Sequence, residues 1–142
     1  MERIKFIRNC GAVCAGAFIL PALLQSCAGM HYAVFTEEGK TIRVSKSEFL
    51  SEKGSPRKFV AVRITQSEFP IVLYKVSENE FVALSTECSH NSCEVRPYDT
   101  LLVCPCHGSE FSTTGKVQSP PADSDLKQFK TSTDSEYITI QL

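Results

Sequence analysis

From residue 31 to the end of the chain, hydrophobic residues occur in short runs that suit β-strands rather than helices. The runs are rich in Val, Ile, Phe and Tyr, which favour extended backbone. In the last run Ile138 and Ile140 alternate with polar residues, as in a strand with one buried face. We predict an all-β fold with strands at residues 31–36, 41–45, 58–65, 71–76, 81–85, 100–103, 110–112, 116–118, 126–131 and 137–142.

Turn-forming residues separate the predicted strands. Glu37-Glu38-Gly39-Lys40 predicts a hairpin turn, and residues 54–56 and 68–70 each combine a proline with other residues that interrupt a strand. Residues 45–52 have the composition for one or two helical turns, but their weak periodicity favours a linker. His31 has no motif around it, so we expect a solvated side chain.

The size and charge of the chain narrow the possibilities. A chain of 142 residues with 42% hydrophobic content has room for one modest domain and an N-terminal appendage. The net charge is −1, and it becomes −3 without residues 1–26, which contain three basic residues and one acidic residue. No basic patch is present to bind nucleic acid.

Residues 88–111 concentrate the metal-binding side chains. Cys88 and His90 form a Cys-x-His pair, thirteen residues intervene, and Cys104 and His107 form a Cys-x-x-His pair. A structural zinc site usually takes its ligands as Cys-Cys and His-His couples, whereas here each half offers one thiolate and one imidazole. A zinc site or unrelated core cysteines would leave this doubling as coincidence, and a colourless protein would indicate them.

Two such half-sites resemble those of a Rieske centre. The sequences CSHNSC and CPCHGSEF match both motifs of high-potential Rieske proteins. The resemblance implies a single two-iron, two-sulfide (2Fe-2S) cluster, with Cys88 and Cys104 on one iron and His90 and His107 on the other. It also implies a Rieske-type fold of small stacked antiparallel sheets with the cluster between two loop tips.

The same resemblance assigns roles to neighbouring residues. It implies a disulfide between Cys93 and Cys106 that joins the two ligand loops, as in the respiratory branch of the family. Ser109 stands where relatives donate a hydroxyl hydrogen bond to a cluster sulfur. Phe111 replaces a second hydroxyl donor, a tyrosine, so a lower reduction potential is expected.

Two further positions depart from the family pattern. Asn91 occupies the place of a leucine that caps the cluster in quinol-oxidising relatives, which weakens an expectation of quinol docking. Ser119-Pro120-Pro121-Ala122 resembles the Gly-Pro-Ala-Pro-like loop that covers the cluster, with Ser119 in place of glycine. A plain surface turn is the alternative for this segment.

The N-terminus has the pattern of a targeting signal. Basic residues precede fifteen mostly apolar residues, 10–24, which as a helix would span about 22 Å and fall short of a hydrocarbon core of roughly 30 Å. Leu24-Gln25-Ser26-Cys27 resembles a bacterial lipobox, which implies cleavage of residues 1–26 and acylation of Cys27. Cleavage after Ala28 and an uncleaved anchor are the alternatives.

The sequence therefore predicts a signal peptide (1–26), N-terminal strands and linker (27–57) and a Rieske core (58–142) with cluster-binding loops 88–93 and 104–111. The expected function is one-electron transfer between redox protein partners, on the periplasmic side of a bacterial envelope and anchored to a membrane by lipid. The alternatives are the iron-sulfur subunit of an oxidoreductase, either bc-type or arsenite-oxidase-like, and a binding module that senses redox state. We do not expect the chain to be an enzyme alone.

Overall fold

The computed structural model describes residues 29–142. The proposed signal peptide and Cys27 lie outside the described residues. Within them the regular secondary structure is almost entirely β-strand, as the hydrophobic pattern predicts. The strands are β1 (Phe35–Glu38), β2 (Thr41–Ser45), β3 (Phe59–Val62), β4 (Ile71–Lys75), β5 (Phe81–Ser85), β6 (Arg96–Pro97), β7 (Leu101–Val103), β8 (Glu110–Ser112), β9 (Val117–Ser119), β10 (Gln128–Thr133) and β11 (Tyr137–Gln141).

Seven strands form a curled antiparallel sheet in the order β1-β2-β11-β10-β5-β4-β3. The predicted hairpin turn is present, because Glu38 pairs with Thr41 and Gly39 adopts a φ of +63°. The last strand, β11, pairs with β2 over its whole length. The N-terminal strands and the C-terminus are therefore part of one sheet.

The predicted strand at residues 31–36 is divided in two, which corrects the sequence-based prediction. Ala61 of β3 donates its N–H to the carbonyl of His31, and Ala33 donates its N–H to the carbonyl of Ala61, both at 2.8 Å. Only from Phe35 does the chain pair with β2. Since β1 and β3 are the two ends of the sheet order, these bonds link both ends and bring the sheet towards closure.

Strands β4 and β5 lie between two hydrophobic cores. Ile71 and Leu73 face a core shared with β2, β3 and β11, whereas Val72, Tyr74 and Leu84 face a core shared with the second sheet. Burial on both faces explains why these strands are continuous apolar runs instead of alternating ones.

The linker at residues 45–52 contains a short 3₁₀ helix, Lys46–Phe49, capped by the Ser45 side chain. Phe49 is buried, and its ring centroid lies 5.3 Å from that of Phe81. His31 is not solvated as expected, because its Nε2 lies 2.7 Å from Oε2 of Glu48 and its side chain is 33% exposed. Between residues 29 and 142 no helix is long and apolar enough to span a membrane.

The second sheet has four antiparallel strands in the order β6-β7-β8-β9. Strand β6 was not predicted, since two residues including a proline carry no periodicity. The sheet is small, and its loops contain most of the candidate site. The first loop, residues 86–95, joins β5 to β6, and the second, residues 104–109, joins β7 to β8.

Candidate metal centre

The second loop is closed by its own backbone. Cys104 donates its N–H to the carbonyl of Ser109 at 2.8 Å, and Gly108 donates its N–H to the carbonyl of Cys104 at 2.9 Å. Gly108 has a φ of +80°, a region in which glycine avoids the steric cost of a side chain. The hairpin of β7 and β8 therefore fixes the backbone on both sides of the loop.

Hydrogen bonds connect the first loop to the large sheet. Thr86 is fully buried and donates both its N–H and its hydroxyl to the carbonyl of Pro70, at 3.0 and 2.8 Å. Val95 donates its N–H to the carbonyl of Thr86 at 2.8 Å, and Cys88 donates its N–H to the carbonyl of Cys93 at 2.9 Å. These bonds narrow the loop, so Cys88 and Cys93 face each other across it.

The four predicted ligands divide into an inner and an outer pair. Cys88 and Cys104 are 3% and 1% exposed and belong to the core beneath the loops. His90 and His107 are both exposed, and their ring centroids lie 5.2 Å apart with the planes almost perpendicular at 86°. The fold thus brings together residues that are far apart in sequence, with thiols inside and imidazoles at the surface.

The surroundings of the Cys88 thiol shift its pKa in both directions. Burial raises the pKa of Cys88, backbone N–H groups of His90 and Asn91 lower it, and the adjacent Cys104 thiol raises it again. The two amides are donors aimed at a sulfur that would carry negative charge when bound to iron. Backbone donors of this kind also tune the potential of an iron-sulfur centre.

Cys93 and Cys106 form a disulfide with a Cα–Cα distance of 6.6 Å, so the predicted pairing is confirmed. Their sulfurs lie within 4.8 Å of the Cys104 sulfur. This trio is not a metal site, because two of its sulfurs are bonded to each other and only Cys104 keeps a free thiol. The disulfide joins the two ligand loops directly.

Ser109 is fully buried, and its Oγ accepts the backbone N–H of Ala122 at 2.9 Å. Because the N–H occupies an acceptor position, the hydroxyl proton remains available for donation. The predicted bond to a cluster sulfur requires this proton. Phe111 is also fully buried, in the same core as Cys88 and Cys104, and Asn91 is exposed at the tip of the first loop.

A third loop, residues 120–127, supports the other two. It contributes the Ala122 N–H to Ser109, and the carbonyl of Ser124 accepts the hydroxyl of Ser89 at 2.6 Å. Sequence reasoning placed 119–122 near the cluster but missed these bonds and the part played by Ser89. Both bonds use backbone groups of the third loop: a carbonyl, which every residue type has, and an N–H, which only proline lacks. The serine on each ligand loop is the one sequence feature that points to them.

The donor set fits a two-iron cluster. Two buried thiols suit one iron, two surface imidazoles suit the other, and two backbone N–H groups act as donors to the Cys88 sulfur. A single tetrahedral zinc ion would account for the four ligands but not for the cross-linking disulfide and the donors. The assignment of each residue to an iron remains a prediction.

The chain resembles known iron-sulfur proteins in sequence. The cytochrome b6-f complex iron-sulfur subunit of Chlorobaculum thiosulfatiphilum is 37% identical over 60 residues, which are 41% of this chain and 33% of that protein. The subunit of the same name from Prochlorococcus marinus subsp. pastoris is 34% identical over 77 residues, 51% of this chain and 43% of that protein. The chain therefore matches less than half the length of these curated relatives.

Solved structures share the fold. The plasma membrane Rieske protein of Synechocystis PCC 6803 matches with a TM-score of 0.54 and 28% identity, covering 60% of this chain and 87% of that one. A chain in the oxygenase–ferredoxin complex of carbazole 1,9a-dioxygenase matches with a TM-score of 0.56 over 73% of this chain and 94% of that one. At 19% identity, the second match shows a common fold alone.

The Rieske [2Fe-2S] domain family matches residues 41–130, more than half of the chain. The match begins at residue 41, before the start of the Rieske core predicted from residue 58, in agreement with the pairing of β2 and β11. Together with the two ligand loops, this match identifies the cofactor as a [2Fe-2S] cluster. The chain belongs to the Rieske [2Fe-2S] domain family.

Proposed function

We propose that the protein transfers single electrons between redox partners, with Cys88 and Cys104 holding one iron and His90 and His107 the other. The single observation that supports this function best is the exposure of the two imidazoles beside each other at the loop tips, above two buried thiols. When bound, the cluster accepts and returns one electron. The imidazoles give a partner close access to the site.

The chain's residues have separate tasks in this proposal. The buried thiols of Cys88 and Cys104 would hold one iron in the core, and the disulfide between Cys93 and Cys106 restrains the two loops. Neutral imidazoles in place of two thiolates leave a formal charge near 0 on the oxidised site instead of about −2, which favours gain of an electron. Ser109 supplies a hydroxyl donor for the added negative charge.

Redox-poised EPR on the purified protein tests the function. We expect a reversible Rieske signal that His107→Ala abolishes, because an iron loses a ligand with no nearby substitute. His31→Ala is the control, since His31 pairs with Glu48 on another part of the domain. A colourless protein with stoichiometric zinc, or a full Rieske signal in His107→Ala, would contradict the proposal.

A second candidate function is that of the iron-sulfur subunit of a quinol-oxidising complex. The names of the two cytochrome b6-f relatives favour it. The exposed, polar Asn91 at the loop tip disfavours it, because a quinone pocket is mainly apolar. Co-purification of a b-type haem protein from native membranes in mild detergent would support the complex, and purification of the chain alone would support independent electron transfer.

We also propose that residues 1–26 are a cleaved signal and that a lipid on Cys27 holds the domain on the periplasmic side of a bacterial membrane. The lipobox-like sequence and the plasma membrane relative support this location. Labelled palmitate should label the wild type, and Cys27→Ala should remove the label while leaving the EPR signal intact. Unacylated mature protein that begins at Gly29 would contradict the lipid anchor.

A further inference from the structure

The thiol of Cys104 lies close to the disulfide between Cys93 and Cys106. All three sulfurs lie within 4.8 Å of one another, so only a short approach separates the Cys104 sulfur from the bond. Cys104 is a free thiol and 1% exposed, which shields it from reagents in solution. The Cys93–Cys106 disulfide is therefore a reaction partner that the Cys104 thiol can reach without contact with solvent.

We propose that, in the cluster-free protein, Cys104 exchanges with this disulfide. The Cys104 thiolate attacks Sγ of Cys93, a Cys93–Cys104 bond forms, and the Cys93–Cys106 bond breaks. Cys106 leaves as a thiolate and takes the proton that Cys104 gave up to solvent. The number of disulfides is unchanged, so the step needs no external oxidant or reductant.

Cys93 is the favoured target for two reasons. Attack on Cys106 would join cysteines separated only by Pro105, in a small strained ring. Attack on Cys93 releases Cys106, which is exposed, so the leaving thiolate is hydrated. The product also keeps the two loops cross-linked over a similar span of chain, 93–104 in place of 93–106, so the loop-closure entropy is nearly unchanged.

The exchange would prevent insertion of the cluster. If Cys104 is an iron ligand, as the proposed function has it, the exchanged protein lacks one of its two thiols for iron. Conversely, a Cys104 sulfur bound to iron cannot attack the disulfide. The exchange itself does not depend on the electron-transfer proposal, which only supplies its consequence.

Two variants of the full chain separate the exchange from other causes. Cys88→Ser and Cys104→Ser each remove one of the two free buried thiols, but only Cys88→Ser retains the attacking thiol. Both are purified without reductant, incubated cluster-free, alkylated under denaturing conditions and cleaved after glutamate. Cleavage after Glu87, Glu94 and Glu110 gives fragments 88–94 and 95–110, in which fragment ions distinguish a bond to Cys104 from a bond to Cys106.

In Cys88→Ser we expect loss of the Cys93–Cys106 bond, appearance of a Cys93–Cys104 bond and alkylation of Cys106. In Cys104→Ser the Cys93–Cys106 bond should persist, because the attacking thiol is missing. The cysteines outside the two ligand loops are the same in both variants. Retention of the original bond alone in both variants would overturn the proposal, as would equal alkylation of Cys106 in both. Wild-type protein that retains its cluster should show only the Cys93–Cys106 bond, whatever its reduction potential or its partners.

Discussion

At the residue scale, we expect hydrogen-bond donors near the proposed ligand sulfurs of Cys88 and Cys104 to determine how readily the site accepts an electron. Ser109 has an unused hydroxyl proton, because its Oγ accepts the Ala122 N–H. Phe111 packs in the same core as Cys88 and Cys104 but has no donor. One position is thus equipped to stabilise the reduced state, and the other is not.

Phe111→Tyr should raise the reduction potential if its hydroxyl bonds to a cysteine sulfur. A net hydrogen bond of about 1 kcal/mol corresponds to roughly 40 mV for a one-electron couple. Redox titration beside the wild type at one pH measures the change. An unchanged potential in a variant whose solved structure shows the hydroxyl bonded to Cys88 or Cys104 would refute this account of tuning.

Ser109→Ala should lower the potential by about 40 mV or more, since bonds to charged groups are stronger. It should also lower the free energy of unfolding by about 1–3 kcal/mol, because the buried Ala122 N–H loses its acceptor. Denaturant unfolding and redox titration separate the two effects. A lower stability with an unchanged potential would make Ser109 a purely structural residue.

Gly115 is a second residue whose type the structure explains. Its φ is +83°, and a Cβ built there would lie 2.7 Å from Cδ2 of Leu84. Gly115→Ala should lower the free energy of unfolding by about 1–3 kcal/mol. Gly39→Ala is the matched control, because Gly39 has a φ of +63° but no atom within 4 Å of the added Cβ. Equal losses in the two variants would show that the Leu84 contact costs nothing.

At the scale of elements, each ligand loop is fixed by a different sheet. The second loop is closed by the β7–β8 hairpin, whereas the first is bonded through Thr86 to Pro70, before β4. The disulfide between Cys93 and Cys106 then ties the two loops together. Loops carried on rigid strands are a common way to hold a metal site.

Cys93→Ser should bind cluster but lose it faster than the wild type, since the loops are no longer joined. Loss of a cross-link over 13 residues should cost about 3 kcal/mol of unfolding free energy. The decay of visible absorbance at constant temperature measures cluster loss. Ser92→Ala is the control, because it removes one hydrogen bond of the same loop, from the Ser92 hydroxyl to Glu87, but keeps the disulfide. Equal decay rates in the two variants and the wild type would show that the disulfide does not retain the cluster.

At the scale of the whole molecule, charge is distributed unevenly. Residues 86–127, which include the three loops and the second sheet, contain six acidic and three basic residues. The rest of the described chain, 29–85 and 128–142, contains nine of each and is neutral. The net charge of −3 therefore resides in the part with the exposed imidazoles. We therefore predict that a redox partner would present a positively charged docking face.

The electron-exchange rate with a cationic reagent, hexaammineruthenium, should fall as salt rises, and that with anionic hexacyanoferrate should rise. Glu94→Gln should weaken both trends. Glu80→Gln is the control, because Glu80 precedes β5 and the first ligand loop follows β5, about 17 Å away along the strand. Stopped-flow rates over a salt series measure this. Identical salt slopes in Glu94→Gln and Glu80→Gln would contradict a docking role for the local charge.

The sequence by itself determined the fold class, most strand positions and the motif of the candidate site. The reason is that strand propensity, turn residues and the spacing in CSHNSC and CPCHGSEF are local properties. The pairing of Cys93 with Cys106 also followed from the motif resemblance and is present in the structure. Ligand roles for Cys88, His90, Cys104 and His107 remain predictions that the geometry fits.

Only the tertiary structure decided how distant segments meet. The bonds of His31 and Ala33 to Ala61 join backbone groups about thirty residues apart, and every residue type except proline offers both such groups. The Ala122 N–H on the Ser109 hydroxyl is a further bond donated by a backbone group, and it joins residues 13 positions apart. Burial of the thiols, exposure of the imidazoles and the approach of Cys104 to the disulfide depend on how two sheets pack. These features arise from long-range packing, which local sequence patterns do not encode.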